Sequence, residues 1–305
     1  MKLIITGGTG FIGTPLCQAL AEEGHDLVLL TRAPSRTVAA AGPRVRLVGW
    51  QPGSVGEWAT HVDGADGVIN LAGESIAGRR WTASQKARLC DSRLQATASV
   101  VTAIGRATRK PAVLVSASAV GYYGPHGDEP LDEESASGTD FLAGLCRQWE
   151  ETAHRAEQFG ARVVLLRIGI VLAPGGGALA KMLPPFRLGI GGPIGDGRQW
   201  CSWVHRDDVI GLIRHALITH ALRGPVNATA PEPVTMRQFA EALGRAVHRP
   251  SWLPVPAAAL RVLLGEMAEV LLTGQRVLPV AARRSAYAFR HETLEYALAA
   301  ALSSR

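Results

Sequence analysis

Thr6–Gly13 reads T-G-G-T-G-F-I-G and follows directly on the apolar run Leu3–Ile5. A short strand, a glycine turn and a helix start are therefore packed into the beginning of the chain. Gly7, Gly10 and Gly13 keep the spacing G-x-x-G-x-x-G. In a phosphate-binding turn one glycine permits the tight bend, one lets backbone approach a pyrophosphate, and one lets helix and strand pack closely. The free N–H groups at the helix start then face the anion. A glycine triplet alone is a weak signal. Here the strand lies upstream, and an apolar-periodic segment (Ile12, Leu16, Ala19, Leu20) follows and stops at Gly24, which is the context the motif demands. Thr9, Phe11 and Ile12 join the three glycines as expected dinucleotide contacts.

The rest of the chain repeats the same alternation. Leu27–Thr31, Val45–Val48, Gly67–Leu71, Val113–Ser116 and Val163–Arg167 are short apolar runs with the continuous character of strands buried on both faces. Long helical stretches, Ser84–Arg106 and Asp140–Phe159, lie between the later ones. This pattern predicts an α/β fold: a Rossmann doubly wound parallel sheet with a smaller C-terminal α/β substrate lid. After Arg167 the texture changes, with Gly/Pro-rich loops at Pro174–Gly177, Gly189–Gly197 and Pro250–Pro256. The expected division is residues 1–170 for the dinucleotide domain, with 204–228 returning to it. Residues 171–203 and 229–305 then form the lid, whose helices are read at Thr235–Val247 and Ala257–Leu272.

Composition narrows the function classes. The 305 residues are 47% hydrophobic and 19% charged, with a formal charge of +6 and no Lys/Arg block. A solvated basic surface that suits an anionic small molecule is expected, not a nucleic-acid partner. Cys17, Cys90, Cys146 and Cys201 are far apart, form no C-x-x-C pair and follow no secretory signal. Reduced thiols, a cytoplasmic location and no metal site are the expectation. No apolar run reaches the ~18 residues of a membrane span.

The second strand indicates which dinucleotide. NAD-selective folds place Asp or Glu at its end, to hold the ribose 2′-OH. Here Leu29-Leu30-Thr31-Arg32 ends it, with Arg36 close behind, and Asp26 lies at the wrong end. A guanidinium there suits the 2′-phosphate of NADP(H), and Thr31 offers a hydroxyl. Asn70-Leu71-Ala72-Gly73 ends the fourth run. The small residues after Asn70 either admit adenine and ribose or simply turn the chain, and Leu71, Ala72 and Gly73 are counted with the cofactor contacts.

Ser116–Gly124 reads S-A-S-A-V-G-Y-Y-G. With the glycine motif, N-L-A-G at Asn70–Gly73 and R-I-G-I-V-L from Arg167, the chain resembles the extended short-chain dehydrogenase/reductases, the group of nucleotide-sugar epimerases and dehydratases. Glu74, Arg80-Trp81-Thr82, Ser92-Arg93, N-A-T-A-P-E-P-V at Asn227–Val234, G-E-M-A-E at Gly265–Glu269 and L-L-T-G-Q-R-V-L-P at Leu271–Pro279 are similar to the atypical "epimerase family" branch. That branch carries a small C-terminal domain of unassigned role and is sometimes labelled cell-division-inhibitor-like. The resemblance implies a Ser, a Tyr and a Lys in Y-x-x-x-K: the Tyr as acid or base, the Lys lowering its pKa and holding the ribose, the Ser orienting the substrate oxygen. Ser118 matches the Ser. Aligning the helix on Trp149-Glu150 puts Leu142 at the Tyr position and Cys146 at the Lys position, and a leucine exchanges no proton. Tyr122 and Tyr123 remain as phenols that either act from another direction or pack over the pocket.

Lys86 and Arg93 lie two turns apart on one helix, hence on one face. The resemblance implies that this helix lines the cofactor, so both are cofactor candidates beside a purely solvated reading. Ser116 and Arg167, at the ends of their strands, complete that set. Glu74, Arg80, Trp81, Gln199 and Trp203 are the candidate substrate contacts. Trp200 sits in the same loop, where tryptophans also serve as packing anchors. His205 reads as structural, before an N-cap at Asp207 or Asp208. Neither G-x-S-x-G nor a phosphate loop G-x-x-x-x-G-K-[ST] is present, which argues against hydrolase and ATPase. Two functions compete. One is an NADP(H)-dependent oxidoreductase or epimerase acting on a small polar or sugar-like substrate. The other is a non-catalytic NADP(H)-binding sensor or scaffold. The superfamily's habit allows a homodimer.

Overall fold

The computed structural model describes residues 1–34 and 42–303. In chain order its strands are β1 (Lys2–Thr6), β2 (Asp26–Thr31), β3 (Val45–Gly49), β4 (Gly67–Asn70), β5 (Val113–Ala119), β6 (Pro130–Leu131), β7 (Arg162–Ile168), β8 (Ile170–Leu172), β9 (Trp200–Cys201), β10 (Trp203–His205), β11 (Gly224–Ala228), β12 (Val234–Thr235) and β13 (Arg276–Val277). The helices are α1 (Gly13–Glu22), α2 (Ala83–Arg106), α3 (Phe141–His154), α4 (Gly177–Arg187), α5 (Arg206–Ile218), α6 (Met236–Ala246), α7 (Ala257–Leu264), α8 (Glu269–Leu272), α9 (Val280–Arg284) and α10 (Leu294–Ser303).

Seven strands form one sheet in the order β11-β7-β5-β4-β1-β2-β3, every pairing parallel. Its central strands are buried on both faces, with successive side chains entering the cores on opposite sides, while edge strand β3 is partly exposed. Leu3 and Ile5 enter the core made with Leu16 and Leu20 of α1 and Leu212 and Ile213 of α5. Ile4, between them, enters the opposite core with Val100 and Ile104 of α2. Chain order reverses between β1 and β4. Doubly wound sheets bind ligands at that switch point, outside the carboxyl ends of the strands.

Within residues 204–228, Val226 of β11 pairs with Leu166 of β7 and α5 packs beneath the sheet, while β10 pairs with β8 outside it. A further core joins Leu179, Phe186, Trp203, Phe239, Leu243 and Leu298 beyond the sheet's edge. The C-terminal stretch is less separate than expected, since Ala282 and Phe289 are buried in the main core. The helix expected over Asp140–Phe159 is α3 followed by a 3-10 turn, Arg155–Phe159, that ends at Gly160 in a left-handed conformation. Among the described residues no helix is long and apolar enough to cross a membrane.

A buried polar cluster ties the sheet's carboxyl edge to two helices. Thr6 donates to Asn70 Oδ1 (2.7 Å), and Asn70 Nδ2 donates to Thr97 (2.9 Å) and Ser116 (3.1 Å). Trp149 Nε1 donates to the same Thr97 hydroxyl (2.9 Å). β1, β4, β5, α2 and α3 thus share one satisfied network at the switch point. Replacing Asn70 by Ala takes the acceptor from Thr6 and one donor each from Thr97 and Ser116 in a dry interior, and stability should fall by about 2–4 kcal/mol. Urea unfolding checks it, through a lower midpoint at unchanged slope.

Candidate functional site

The glycine turn is shaped by contacts that no larger residue permits. Gly7 has φ +69°, and a Cβ there would lie 2.5 Å from Leu71 O. A Cβ on Gly13 would lie 2.2 Å from Gly7 O. Gly10 donates its N–H to Gly7 O (3.0 Å), leaving Thr9 and Gly10 exposed at the tip. No side chain caps the start of α1; Thr14 N donates to Gly10 O (3.0 Å), Leu16 N to Ile12 O (3.2 Å), and Pro15 carries no N–H. Phe11 packs against Gly176 and Gly177, with the Arg206 guanidinium 5.1 Å from its ring centroid. Arg32 is exposed at the end of β2, while the Thr31 hydroxyl accepts from Ala33 N (3.3 Å). Arg36 lies outside the described residues. Asp26, at the far end of β2, pairs with Arg44 (3.0 Å).

Beside this turn the edge continues into a cavity of about 370 Å³ between β5, β7, α3 and the C-terminal segment. Ser118, Arg93, Trp81 and Gln199 line it, as does Ala117. Leu142 and Cys146, the residues aligned with the superfamily's Tyr and Lys, line it as well. Burial pushes the Cys146 thiol up to about 12, with the Glu150 charge adding to the shift, so it stays neutral. Arg93 is 7% exposed. It donates to Leu89 O (3.1 Å) and Glu74 O (2.9 Å) and lies 5.2 Å from the Trp149 ring centroid. Lys86, on the same helix, reaches Glu266 of the C-terminal segment (2.5 Å) and sits 4.9 Å from the Phe141 ring centroid.

Behind Ser118 stands a buried charge pair. Ser118 donates to Glu150 Oε1 (2.6 Å), and Arg167 meets the same carboxylate twice, Nε to Oε1 and Nη2 to Oε2, both at 2.9 Å. Arg167 is 3% exposed. Its Nη1 donates to the Tyr123 hydroxyl (3.0 Å), and its guanidinium lies 3.4 Å from the Tyr122 ring centroid.

Several expectations change here. Tyr123 is fully buried; it donates to Asn227 Oδ1 (2.7 Å), and burial pushes its phenol up to about 12 against the pull of Arg167. Neither it nor Tyr122 is among the cavity walls. Arg167 and Ser116 are held inside the polar networks and do not reach the open edge. Trp203 is also fully buried, donating to Glu232 O (3.0 Å), and Trp200 takes the cavity wall in its place. Glu74 is held by Ser92 and Gln85 and does not line the cavity. Arg80 is exposed near Gly265. The N-cap of α5 is His205, whose Nδ1 accepts from Asp207 N (3.2 Å). Asp208 is buried and accepts from Arg290 N and His291 N. His205, Asp207 and His291 bring ligand-type atoms within 4.8 Å of one another, a grouping the sequence reading did not foresee. The pocket expected to be polar has mostly carbon walls, among them Ile76, Leu145, Ile168, Ile170, Val270 and Leu271.

Glu150 was the main residue missed. The sequence signal was there: it lies four residues after Cys146, on the same helix face as the wall-lining pair. Trp149, Met236 and Gln275 were missed as wall residues too.

Residues 3–227 match the NAD dependent epimerase/dehydratase family, and residues 255–301 match a domain of unknown function, DUF1731. The chain is 44% identical over 302 residues to the epimerase family protein SDR39U1 homolog, chloroplastic, of Arabidopsis thaliana, covering 98% of this chain and 86% of that one. It is 40% identical over 307 residues to the epimerase family protein YfhF of Bacillus subtilis, covering 100% and 99%. The crystal structure of human epimerase family protein SDR39U1 (isoform 2) with NADPH superposes with a TM-score of 0.91 at 36% identity and full coverage of both chains. The glycine turn, the seven-stranded parallel sheet and these likenesses agree: the chain belongs to the NAD-dependent epimerase/dehydratase family, in the SDR39U1-like group that carries a DUF1731 segment.

Proposed function

We propose that this chain is an NADP(H)-dependent oxidoreductase that acts on a small molecule in the Ser118 cavity. The observation that carries the reading is a shared edge: the glycine turn follows the carboxyl end of β1 and the Ser118 cavity the carboxyl ends of β5 and β7, in one parallel sheet. The turn fits a dinucleotide because Gly7 and Gly13 leave no room for a Cβ against the backbone of Leu71 and Gly7, which keeps the turn tight, while Thr9 and Gly10 stay exposed at its tip. Gly7, Gly10 and Gly13, with Thr9, Phe11 and Ile12, hold the pyrophosphate end. Leu71, Ala72 and Gly73 border the adenosine. Arg32 meets the 2′-phosphate, and Arg36 belongs to the same reading. Arg93 and Lys86 face the nicotinamide half. The human relative's NADPH supports the assignment.

The cofactor supplies hydride exchange at its nicotinamide. Ser118 orients the reacting oxygen, its own hydroxyl fixed by Glu150. With Leu142 and Cys146 in the places of the usual acid–base pair, and Tyr123 locked between Asn227 and Arg167, water moves the proton. Residues 171–203 and much of 229–305 form the substrate side in this reading. The four free cysteines suit a reducing compartment such as the cytoplasm.

Three measurements test this. Arg32→Glu should weaken NADPH by about thirtyfold to a hundredfold, the ~2–3 kcal/mol of a charge-assisted contact, and leave NADH within about threefold. Equal effects on both, by calorimetry, defeat the 2′-phosphate assignment. An alcohol-substrate screen with NADP⁺, following the NADPH formed by its absorbance, should find turnover that Ser118→Ala lowers by about a hundredfold. Tight NADPH binding with no turnover in that screen replaces the enzyme by the non-catalytic sensor. Tyr123→Phe should lower stability by about 1–3 kcal/mol and leave the pH profile of turnover in place; a displaced profile returns the phenol to the chemistry.

A further inference from the structure

We infer that the Ser118 cavity takes an uncharged, largely apolar molecule bearing a hydroxyl, and not a nucleotide-diphosphate sugar. This rests on the proposed reading only in treating the cavity as the substrate's place.

The walls have few free polar groups. Trp81 Nε1 donates to Ile76 O, and Trp149 Nε1 to Thr97. Ser202 donates to Gln275 O and accepts from Val277 N, so its hydroxyl is turned to the C-terminal segment. Thr273 donates to Glu269 O, and Gln275 Nε2 to Val120 O. A sugar ring brings several hydroxyls, and each one buried without a partner costs about 1–3 kcal/mol. Leu142, Leu145, Ile170 and Val270 offer it none.

Charge points the same way. The cavity's guanidinium, Arg93, already serves two backbone carbonyls. Asp140, Glu266 and Glu269 stand on the same lining. Lys86 is engaged by Glu266, and Arg261 by Glu269 (2.9 Å). A diphosphate brought here would be desolvated among carboxylates, with no disengaged cation on the cavity wall among the described residues to answer it.

Two acceptors are left open. Gln199 Nε2 donates to Ile194 O (3.0 Å) and Leu271 O (2.8 Å), which fixes the orientation of the amide. Its Oε1 is buried, and has no partner among the described residues. Ser118 has given its one proton to Glu150, so its remaining lone pairs can only accept. Both positions call for a donor on the ligand, which a hydroxyl supplies. The Trp81 and Trp149 faces and the aliphatic wall then cover a hydrocarbon body.

The test uses the full chain, with and without NADP⁺, and three probes: 1-tetralol, its methyl ether 1-methoxytetralin, and UDP-glucose. Quenching of tryptophan fluorescence, backed by calorimetry, reads binding. The expected result is 1-tetralol bound below about 1 mM, the methyl ether at least about tenfold weaker for want of a donor, and no competition from UDP-glucose. Gln199→Leu should erase the preference for alcohol over ether. If that variant fails to fold, the wild-type preference still decides. UDP-glucose binding more tightly than 1-tetralol, or ether and alcohol binding alike, overturns the inference. A thermal shift with NADPH is read separately: its presence with 1-tetralol silent sinks this inference alone, and its absence sinks the cofactor assignment.

Discussion

The bidentate Glu150–Arg167 pair is the interaction on which the site's geometry depends. Taking both charges out of water is expensive, and such a pair persists only where geometry is good and the remaining hydrogen-bonding capacity is used. Here it is used. Ser118 and Arg167 fill the carboxylate, while Tyr123 and Glu133 O take the other end of the guanidinium. The chain of contacts runs from β5 through α3 to β7 and, by Tyr123, to Asn227 on β11. Asn227 in turn receives nothing loose: its N–H donates to Glu133 and its amide to Leu278 O. One buried pair therefore fixes three strands, a helix and the Tyr122–Tyr123 turn against one another. The direction of the Ser118 hydroxyl is a consequence of that lock.

This lock also explains why Tyr123, five residues after Ser118, is a poor proton donor or acceptor, while Tyr122 is engaged only through its ring, which lies against the Arg167 guanidinium. A phenol whose oxygen is held by a guanidinium and an amide, in a dry setting, is a structural group. The positions that face the cavity from α3 carry Leu142 and a neutral thiol instead. The chain keeps the cradle for a dinucleotide and the oriented serine, and it has given the acid–base positions to residues that shape a pocket.

What was legible in the sequence was local. The glycine spacing, the apolar runs of β1, β2 and β4 and the seven-residue offset of Lys86 and Arg93 all express contacts within one or two elements, where period and spacing carry the information. In the sequence Glu150 stands out only as half of an alignment marker, because its meaning lies in Ser118, 32 residues earlier, and Arg167, 17 residues later. Tyr123 depends on Asn227, 104 residues away, and no pattern near either one announces the pairing. The exchange of Trp203 for Trp200 was more accessible. The two flank a short break between β9 and β10, so one enters the core beyond the sheet edge and the other turns to the cavity. Strand parity across residues 200–205 separates them.

The C-terminal segment shows the same dependence at larger scale. Val277 extends β6 in register with Leu131, Ser202 bridges Gln275 and Val277, and Asn227 reaches Leu278. Farther on, the buried carboxylate of Asp208 accepts from the backbone of Arg290 and His291. Asp208 lies at the start of α5, under the main sheet, so these contacts anchor the segment to the dinucleotide-binding body itself. The same stretch supplies Glu266, Val270, Leu271 and Gln275 to the cavity. A wall held at both ends by buried hydrogen bonds is part of the cavity, which therefore cannot be described from the sheet alone. The match to a domain of unknown function covers residues that complete the cavity beside Ser118. Differences in what related chains accept should therefore follow changes between residues 266 and 275 more closely than changes in the glycine turn.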